Sequence, residues 1–153
     1  MRWVLIILFL SLPPYAHAEG RLPRFASLGS NEANLRAGPG TRYPIRWVYH
    51  RKGMPVEIID EYGNWRQIRD VDGAEGWLHY GLLSGRRSAL VRGHEQLLRR
   101  NPDAESPTVL IAKPMVIGHL LRCSLSWCYL EIQGYKGWME KSAFFGAYKE
   151  EKF

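Results

Sequence analysis

The sequence predicts an all-β protein in which two small, related units follow a signal peptide. Three observations predict it. A series of motifs recurs after roughly 60 residues, short segments alternate in the manner of strands, and the composition is rich in turn formers, with 15 Gly, 9 Pro and 12% aromatic residues. Short strands joined by tight turns use that mixture, whereas long helices do not.

The first 18 residues have the features of a cleavable signal peptide. Arg2 precedes an apolar run from Trp3 to Leu10, and Ala16-His17-Ala18 is the small-x-small pattern of a cleavage site. An uncleaved membrane anchor is the alternative, but a span needs about 20 apolar residues, about twice the length of this run. We therefore expect cleavage before Glu19 and export, either to a Gram-negative periplasm or as a secreted protein.

The charge of the chain is moderately basic. The formal net charge is +6, and loss of Arg2 with the signal peptide lowers it to +5. A basic protein commonly binds nucleic acid, but export removes that partner. Since Lys and Arg are interspersed with Glu and Asp, we expect a solvated surface with a modest bias toward anionic surroundings, no nucleic acid, and no stable membrane span in the mature form.

The repeat divides the rest of the chain into two predicted units, residues 30–91 and 92–147. Three motifs recur, at offsets that fall from 63 to 61: Asn34–Pro39 as Leu97–Pro102, Gly63–Trp65 as Leu125–Trp127, and Gly73–Leu78 as Gly134–Met139. The change in offset implies two single-residue deletions, which we place in hairpin turns because strands do not tolerate length changes. Units this small bury little surface, so we expect them to pack on each other or to carry a covalent link.

Strand signals follow one another at short intervals in the first unit. The predicted strands are 33–36, 45–49, 56–60, 65–69 and 75–79, with turns at Gly38-Pro39-Gly40, Gly53-Met54-Pro55 and Asp72-Gly73. Four or five short strands without a convincing helical stretch favour a closed or nearly closed β-barrel.

The two cysteines, Cys123 and Cys128, are separated by Ser-Leu-Ser-Trp. Exported proteins favour disulfides, and four intervening residues suit a hairpin whose flanking residues face each other. The spacing is not C-x-x-C, and two ligands are too few for a structural zinc. We predict a structural disulfide and no metal site.

One motif series in the first unit identifies a family. It reads Asn34-Leu35-Arg36-x-Gly38-Pro39-Gly40-Thr41-x-Tyr43-Pro44-Ile45, followed by Gly63-Asn64-Trp65 and Gly76-Trp77-Leu78. This series resembles the bacterial SH3 domain. The second unit resembles a degenerate copy, with Asn101-Pro102-Asp103-Ala104 in place of the Gly-Pro-Gly-Thr turn. The resemblance implies SH3-like barrels in an exported envelope protein that binds peptides or cell-wall components, or that targets an attached enzyme to the wall.

Several motif residues have structural explanations. We expect Leu35 to face the core, and Arg36 to bond carbonyls of the long loop rather than a ligand carboxylate. Gly38 and Gly40 are predicted to adopt positive φ in a sharp turn that Pro39 stiffens.

The two Gly-Trp pairs, Gly76-Trp77 and Gly137-Trp138, are also predicted to be structural. We expect both tryptophans to be core residues. The segment Leu78–Leu82 lacks the Pro and Tyr that complete the proline-peptide groove of eukaryotic SH3 domains. A proline-rich peptide is therefore a less favoured ligand.

A barrel of this size is filled by its own side chains, so a ligand must bind outside. Alternation along 65–69 places Ile68 in the core and Trp65 on the opposite face, the place at which SH3-type domains that bind proline-rich peptides use a Trp. The candidate ligand-binding residues are Trp65, Tyr43, Trp47, Tyr49, Tyr62 and Tyr80. The alternative is that several of them cap the barrel ends.

Catalysis is not expected, and we assign no catalytic residue, metal or cofactor. His50, His79, His94 and His119 lack metal-ligand spacing, and no Ser stands in a nucleophile-elbow motif. Cys128 is disabled as a nucleophile by the expected disulfide, and a small barrel has no deep cleft.

Two functions follow from these patterns. The first is a binding module for a peptide or a peptidoglycan-related ligand. The alternative is a structural or assembly protein that bridges other envelope proteins, which predicts an exposed apolar patch in the region of Phe144-Phe145.

Overall fold

The structure is a computed structural model that describes residues 20–153, so the predicted signal peptide lies outside the described residues. The first unit contains β1 (Arg24–Leu28), β2 (Ala33–Arg36), β3 (Ile45–Tyr49), β4 (Pro55–Tyr62), β5 (Trp65–Arg69), β6 (Glu75–His79) and β7 (Leu83–Ser84). The second contains β8 (Ser88–Val91), β9 (Gln96–Arg99), β10 (Thr108–Ala112), β11 (Ile117–Cys123), β12 (Trp127–Ile132), β13 (Tyr135–Glu140) and β14 (Phe144–Phe145). Within residues 20–153 the helical elements are two 3-10 turns, Tyr80–Leu82 and Lys141–Ala143.

The strands form two seven-stranded antiparallel sheets with the same topology. The first sheet has the order β3-β2-β6-β5-β4-β1-β7, and the second has β10-β9-β13-β12-β11-β8-β14. Each strand of the first unit therefore has one counterpart in the second. Leu35 and Leu98 occupy equivalent strands and are both buried. The all-β class and the tandem SH3-like units are confirmed.

Both units begin before the predicted ranges of 30–91 and 92–147. β1 pairs with β4 and β7 of the first sheet, although it precedes residue 30. β8 pairs with β11 and β14 of the second sheet, although it precedes residue 92. The reason is that Arg24–Leu28 and Ser88–Val91 share no motif, so nothing in the repeat marks them as equivalent first strands.

The two deletions lie in turns, where loop length is tolerated. The loop between β3 and β4 covers residues 50–54, and its counterpart covers 113–116. In the β5–β6 hairpin, Ile68 pairs with Gly76, eight positions later. In the β12–β13 hairpin, Leu130 pairs with Gly137, seven positions later.

The turn after β2 keeps its hydrogen bonds in both units, although its sequence changes. The amide of Gly40 donates to the carbonyl of Gly38 at 3.0 Å, and that of Asp103 donates to the carbonyl of Asn101 at 2.8 Å. The glycine positions do not have positive φ, so that prediction was wrong. Gly38 is instead required because a Cβ there would lie 2.6 Å from the Tyr43 ring.

The Gly-Trp pairs hold adjacent strands close together. A Cβ on Gly76 would lie 2.6 Å from Leu35 Cγ, and one on Gly137 would lie 2.6 Å from the Arg99 carbonyl oxygen. Trp77 and Trp138 are half-buried on the outer face, which corrects the prediction that they are core residues. Their neighbours Leu78 and Met139 fill the core, and strict alternation turns each Trp outward.

The predicted disulfide between Cys123 and Cys128 is confirmed. The two residues are directly opposite in the β11–β12 ladder, with their Cα atoms 4.1 Å apart. The turn is closed by the Ser124 amide, which donates to the Trp127 carbonyl at 2.8 Å. The bridge lies within the second core, next to Leu120 and Met139.

The two units pack on each other through an aromatic contact. The Phe25 ring lies 5.0 Å from the Phe145 ring and 4.7 Å from the Tyr148 ring. Phe144 is buried in the second core. The predicted exposed patch at Phe144-Phe145 is therefore wrong, because these rings are covered by the second core and by Phe25.

The segment after β14 returns across the second unit. Arg87 forms a two-pronged ion pair with Glu151, at 2.6 and 2.9 Å. The backbone of Phe153 exchanges hydrogen bonds with Cys123 in both directions, at 2.8 and 3.2 Å. The buried Lys141 ammonium donates to the carbonyl oxygen of Lys149 at 3.1 Å. The described part of the chain contains no helix that is both long and apolar enough to cross a membrane.

Candidate binding surface

Four side chains meet at one end of the first unit, and we call them the Trp65 cluster: Tyr62, Trp65, His79 and Tyr80. The tight β4–β5 turn places Tyr62 opposite Trp65, and the β5–β6 ladder places Trp65 opposite His79. The Trp65 and His79 rings meet edge to face at 5.6 Å, and the His79 and Tyr80 rings lie 4.8 Å apart. Tyr62 is 67% exposed and Tyr80 52%, so the cluster faces solvent.

Hydrogen bonds from backbone amides hold the two turns that carry the cluster. The Tyr80 amide donates to the Asn64 carbonyl at 2.8 Å, which ties the 3-10 turn to the β4–β5 turn. The Gly81 amide donates to Nδ1 of His79 at 3.1 Å, so this imidazole caps the 3-10 turn. The aromatic surface is thus held by main-chain hydrogen bonds, which reduces the ordering cost of binding.

Two arginines lie beside aromatic rings at this end of the unit, and one of them, Arg66, is ion-paired with Glu61 at 3.2 Å. The Arg66 guanidinium lies 6.0 Å from the centre of the Tyr80 ring, and Arg42 lies 5.2 Å from that of Tyr43. A hydrogen bond and charge interaction with Tyr43, together with the nearby Tyr62 hydroxyl, raise the pKa of Arg42 above its ordinary value. Arg42 therefore packs against Tyr43, and its Nη2 lies 3.5 Å from the Tyr43 hydroxyl.

The loop that carries Tyr43 is fixed by Arg36. Its Nη1 donates to the carbonyl oxygens of Thr41 at 3.0 Å and Tyr43 at 2.9 Å. In the second unit Arg99 donates in the same way to Ser106, at 2.8 Å. In both units, Nη1 of this arginine therefore holds the loop against the strand that precedes it.

Tyr49 and Trp47 lie outside the Trp65 cluster. Tyr49 is only 6% exposed, and its hydroxyl donates to Oδ2 of Asp70 at 2.8 Å. Burial, and then that hydrogen bond, raise the pKa of Tyr49. Because its side chain is buried, Tyr49 is a core residue, and its assignment to the ligand surface was wrong. Trp47 is 62% exposed on β3, which β2 and β6 separate from β5.

The second unit has a groove that the sequence prediction left unassigned. It has a volume of about 630 Å³, and its lining includes Trp127, the counterpart of Trp65. The apolar part is formed by Leu97 and Ile111, and Glu140 stands opposite Trp127 in the ladder. The repeat of Gly63–Trp65 as Leu125–Trp127 was the signal that could have located it.

The outer face of the second unit also carries a cation–aromatic row. The Tyr129 and Trp138 rings lie 5.3 Å apart, and the Arg122 guanidinium is 4.4 and 5.2 Å from their centres. The first unit has Gln67 in the position of Tyr129, so the row is not repeated. The two copies therefore present different outer faces on the same framework.

The family model described as Bacterial SH3 domain matches the chain twice, over residues 29–85 and 92–146. The chain belongs to the bacterial SH3 domain family. Bacterial SH3 domains are typically cell-wall binding modules and occur in exported proteins. The two matches correspond to the two sheets, apart from their first strands.

The solved structures that the chain matches include NlpC proteins. NlpC1 from Trichomonas vaginalis is 13% identical, with 86% of this chain and 49% of that chain covered and a TM-score of 0.38. NlpC2 from the same organism is 12% identical, with 84% of this chain and 50% of that chain covered and a TM-score of 0.39. An NlpC/P60 family protein from Bacillus cereus ATCC 10987 is 14% identical, with 80% of this chain and 57% of that chain covered and a TM-score of 0.35. The chain thus spans about half the length of these proteins, and no curated protein matches it.

Proposed function

We propose that the protein is an exported, non-catalytic binding module whose first unit recognises a peptide or a peptidoglycan-derived ligand at the Trp65 cluster. The observation that carries this proposal is the packing of Trp65, His79 and Tyr80 into one exposed surface that main-chain hydrogen bonds hold in place. Family membership supports the ligand class.

The chemistry of the cluster suits binding better than catalysis. Aromatic rings offer flat apolar area with little rotamer freedom to lose. The exposed Arg42, which forms no ion pair with a carboxylate of residues 20–153, supplies charge for carboxylates such as those of stem peptides. His79 is packed between two rings, and its Nδ1 is occupied by the Gly81 amide. It is therefore a packing group in this surface rather than a base.

The test is titration of the full mature chain with soluble muropeptides, followed by calorimetry or NMR shifts. We expect Trp65→Ala to weaken binding at least about tenfold, because a central aromatic anchor contributes about 2 kcal/mol or more. Tyr135→Ala is the matched control, since Tyr135 is an exposed aromatic of the second unit that is outside the cluster and the groove.

Three results contradict the proposal. If Trp65→Ala binds as tightly as the wild type, the site is wrong. If Trp127→Ala removes binding instead, the ligand occupies the second-unit groove. If muropeptides are cleaved during incubation with the purified protein, the module is not purely a binding one.

A further inference from the structure

The edge strand β3 and the loop after it form an exposed surface distinct from the Trp65 cluster. We call it the basic edge and define it as Ile45, Arg46, Trp47 and Lys52. Ile45 is 46% exposed and Trp47 is 62% exposed, and the two cations are also exposed. Adjacent exposed apolar side chains that are rimmed by polar residues mark an interaction surface more often than apolar residues scattered singly do.

Charge is unevenly divided between the two copies of this region. Residues 33–56 contain five cations and no Asp or Glu: Arg36, Arg42, Arg46, Arg51 and Lys52. The equivalent residues 96–118 contain three cations and two acids: Arg99, Arg100, Lys113, Asp103 and Glu105. The framework is shared, so the barrel itself does not require the excess positive charge of the first copy.

The cations of the basic edge are not neutralised within the described chain. Outside the basic edge, the neighbouring Arg36 and Arg51 are engaged by carbonyl oxygens. Arg36 donates to that of Tyr43, and Arg51 donates to that of Met115. No carboxylate of residues 20–153 forms an ion pair with Arg46 or Lys52. An anionic partner is therefore the complementary one.

The backbone of β3 narrows the class of partner further. β3 lies at the end of its sheet and pairs only with β2 among the described strands. Its outer amide and carbonyl groups face away from β2, and an extended peptide can hydrogen-bond to such an edge. Lipid headgroups and wall glycans do not offer that regular series of backbone groups.

Charged edge strands often serve only to prevent pairing. Here the charge opposes pairing with a second copy, because two basic edges repel each other. It does not explain the exposed Trp47 and Ile45, which increase the apolar area of the edge. The bulge beside Arg46 has a counterpart in β10, so it belongs to the hairpin of both units.

We propose that the basic edge docks an extended acidic segment of a partner protein. The segment lies along β3, its carboxylates meet Arg46 and Lys52, and its apolar side chains contact Trp47 and Ile45. This site is independent of the ligand proposed for the Trp65 cluster.

The test uses a fluorescein-labelled peptide of about ten residues with alternating Glu and Val, which supplies both the carboxylates and the apolar side chains and is long enough to cover β3. A second peptide carries Gln for every Glu, and phosphatidylglycerol vesicles form a third arm. We expect the Glu peptide to bind at least about tenfold more tightly than the Gln peptide, and more weakly as salt rises, because exposed charges are screened.

Three variants assign the binding to the basic edge. Trp47→Ala and the double variant Arg46→Glu, Lys52→Glu should each weaken the Glu peptide about tenfold or more, while Trp47→Phe largely retains it. The matched control is Lys113→Glu with Ile111→Ala, which changes the equivalent edge of the second unit. Trp65→Ala should leave this binding unchanged, so the two proposals fail separately.

Each alternative outcome overturns the proposal. If the Gln and Glu peptides bind equally tightly, the partner is not recognised by its charge. If the second-unit control variant loses as much affinity as the basic-edge variants, the peptide does not bind at the basic edge. Binding of vesicles without binding of the peptide makes the surface a lipid site. Amide NMR spectra of the variants confirm that any loss comes from a folded protein.

Discussion

The Tyr148 hydroxyl donates a 2.8 Å hydrogen bond to Oε1 of Glu57, a residue 91 positions earlier in the other unit. The other carboxylate oxygen of Glu57 is 3.2 Å from Arg69. Burial, and then the bond to Glu57, raise the pKa of Tyr148, so the hydroxyl stays protonated and donates. This contact and the Phe25–Phe145 pair join the two units.

Tyr148→Phe should weaken the packing of the two units on each other. Removal of the hydroxyl leaves a partly buried carboxylate with one donor fewer, which costs about 1–2 kcal/mol. Chemical unfolding should show that loss, and NMR relaxation should show the two units tumbling more independently. Tyr135→Phe is the control, since its ring is exposed. Unchanged stability and unchanged relaxation would show that the bond does not couple the units.

Gly76→Ala and Gly137→Ala should each destabilise the fold by about 1–3 kcal/mol, because the added methyl overlaps the neighbouring strand. The overlap involves Leu35 and the Arg36 carbonyl in one unit, and Leu98 and the Arg99 carbonyl in the other. Gly85→Ala is the control, since a Cβ there meets nothing within 4 Å. Urea denaturation measures all three. Equal stability of Gly76→Ala and Gly85→Ala would contradict the close-approach explanation.

Loss of the disulfide should destabilise the second unit selectively. The bridge closes a loop with a sequence separation of 5, for which chain entropy gives about 2 kcal/mol. Calorimetry of the variant with Ser at positions 123 and 128 should show that loss, and reductant should reproduce it in the wild type. The Trp65 cluster should keep its NMR shifts, because it lies in the other unit. A variant as stable as the wild type would assign the bridge no structural role.

Acid should release the segment after β14. Burial alone would raise the pKa of Glu151, but the hydrogen bonds from Arg87 and from the Tyr148 amide outweigh it and hold the pKa below the usual 4.5. A carboxyl with a lowered folded pKa contributes stability that is fully present above its unfolded value and lost as pH falls through the folded value.

Glu151→Gln should therefore be less stable than the wild type at neutral pH, and the difference should shrink as pH falls below about 4.5. Urea unfolding at a series of pH values measures this difference in the free energy of unfolding. The exposed Glu150 provides the control variant, Glu150→Gln, which should follow the wild-type profile. A constant difference between Glu151→Gln and the wild type at every pH would assign the effect to packing instead.

The predicted export signal has a direct test. Intact-mass spectrometry of protein from an envelope fraction should give a chain that begins at Glu19. Its mass should increase by two hydrogens on reduction, because the disulfide opens. A mass that includes residues 1–18 would contradict cleavage.

Sequence alone determined the features that depend on neighbours along the chain or on the repeat. The motif around Leu35 and its echo at Leu98 predicted two units of one topology, and the hairpin spacing of Cys123 and Cys128 predicted their bridge. Both are local, because a turn of fixed length sets which residues face each other.

Tertiary structure decided which faces are covered and which distant residues meet. Alternation gives Trp47 and Tyr49 the same parity on β3, but tertiary packing buries Tyr49 against Asp70 and leaves Trp47 exposed. The equivalence of β1 and β8, and the pairing of Tyr148 with Glu57, had no signal in the repeat. Periodicity fixes the parity of side chains along a strand, whereas burial depends on what packs against that strand from elsewhere in the chain.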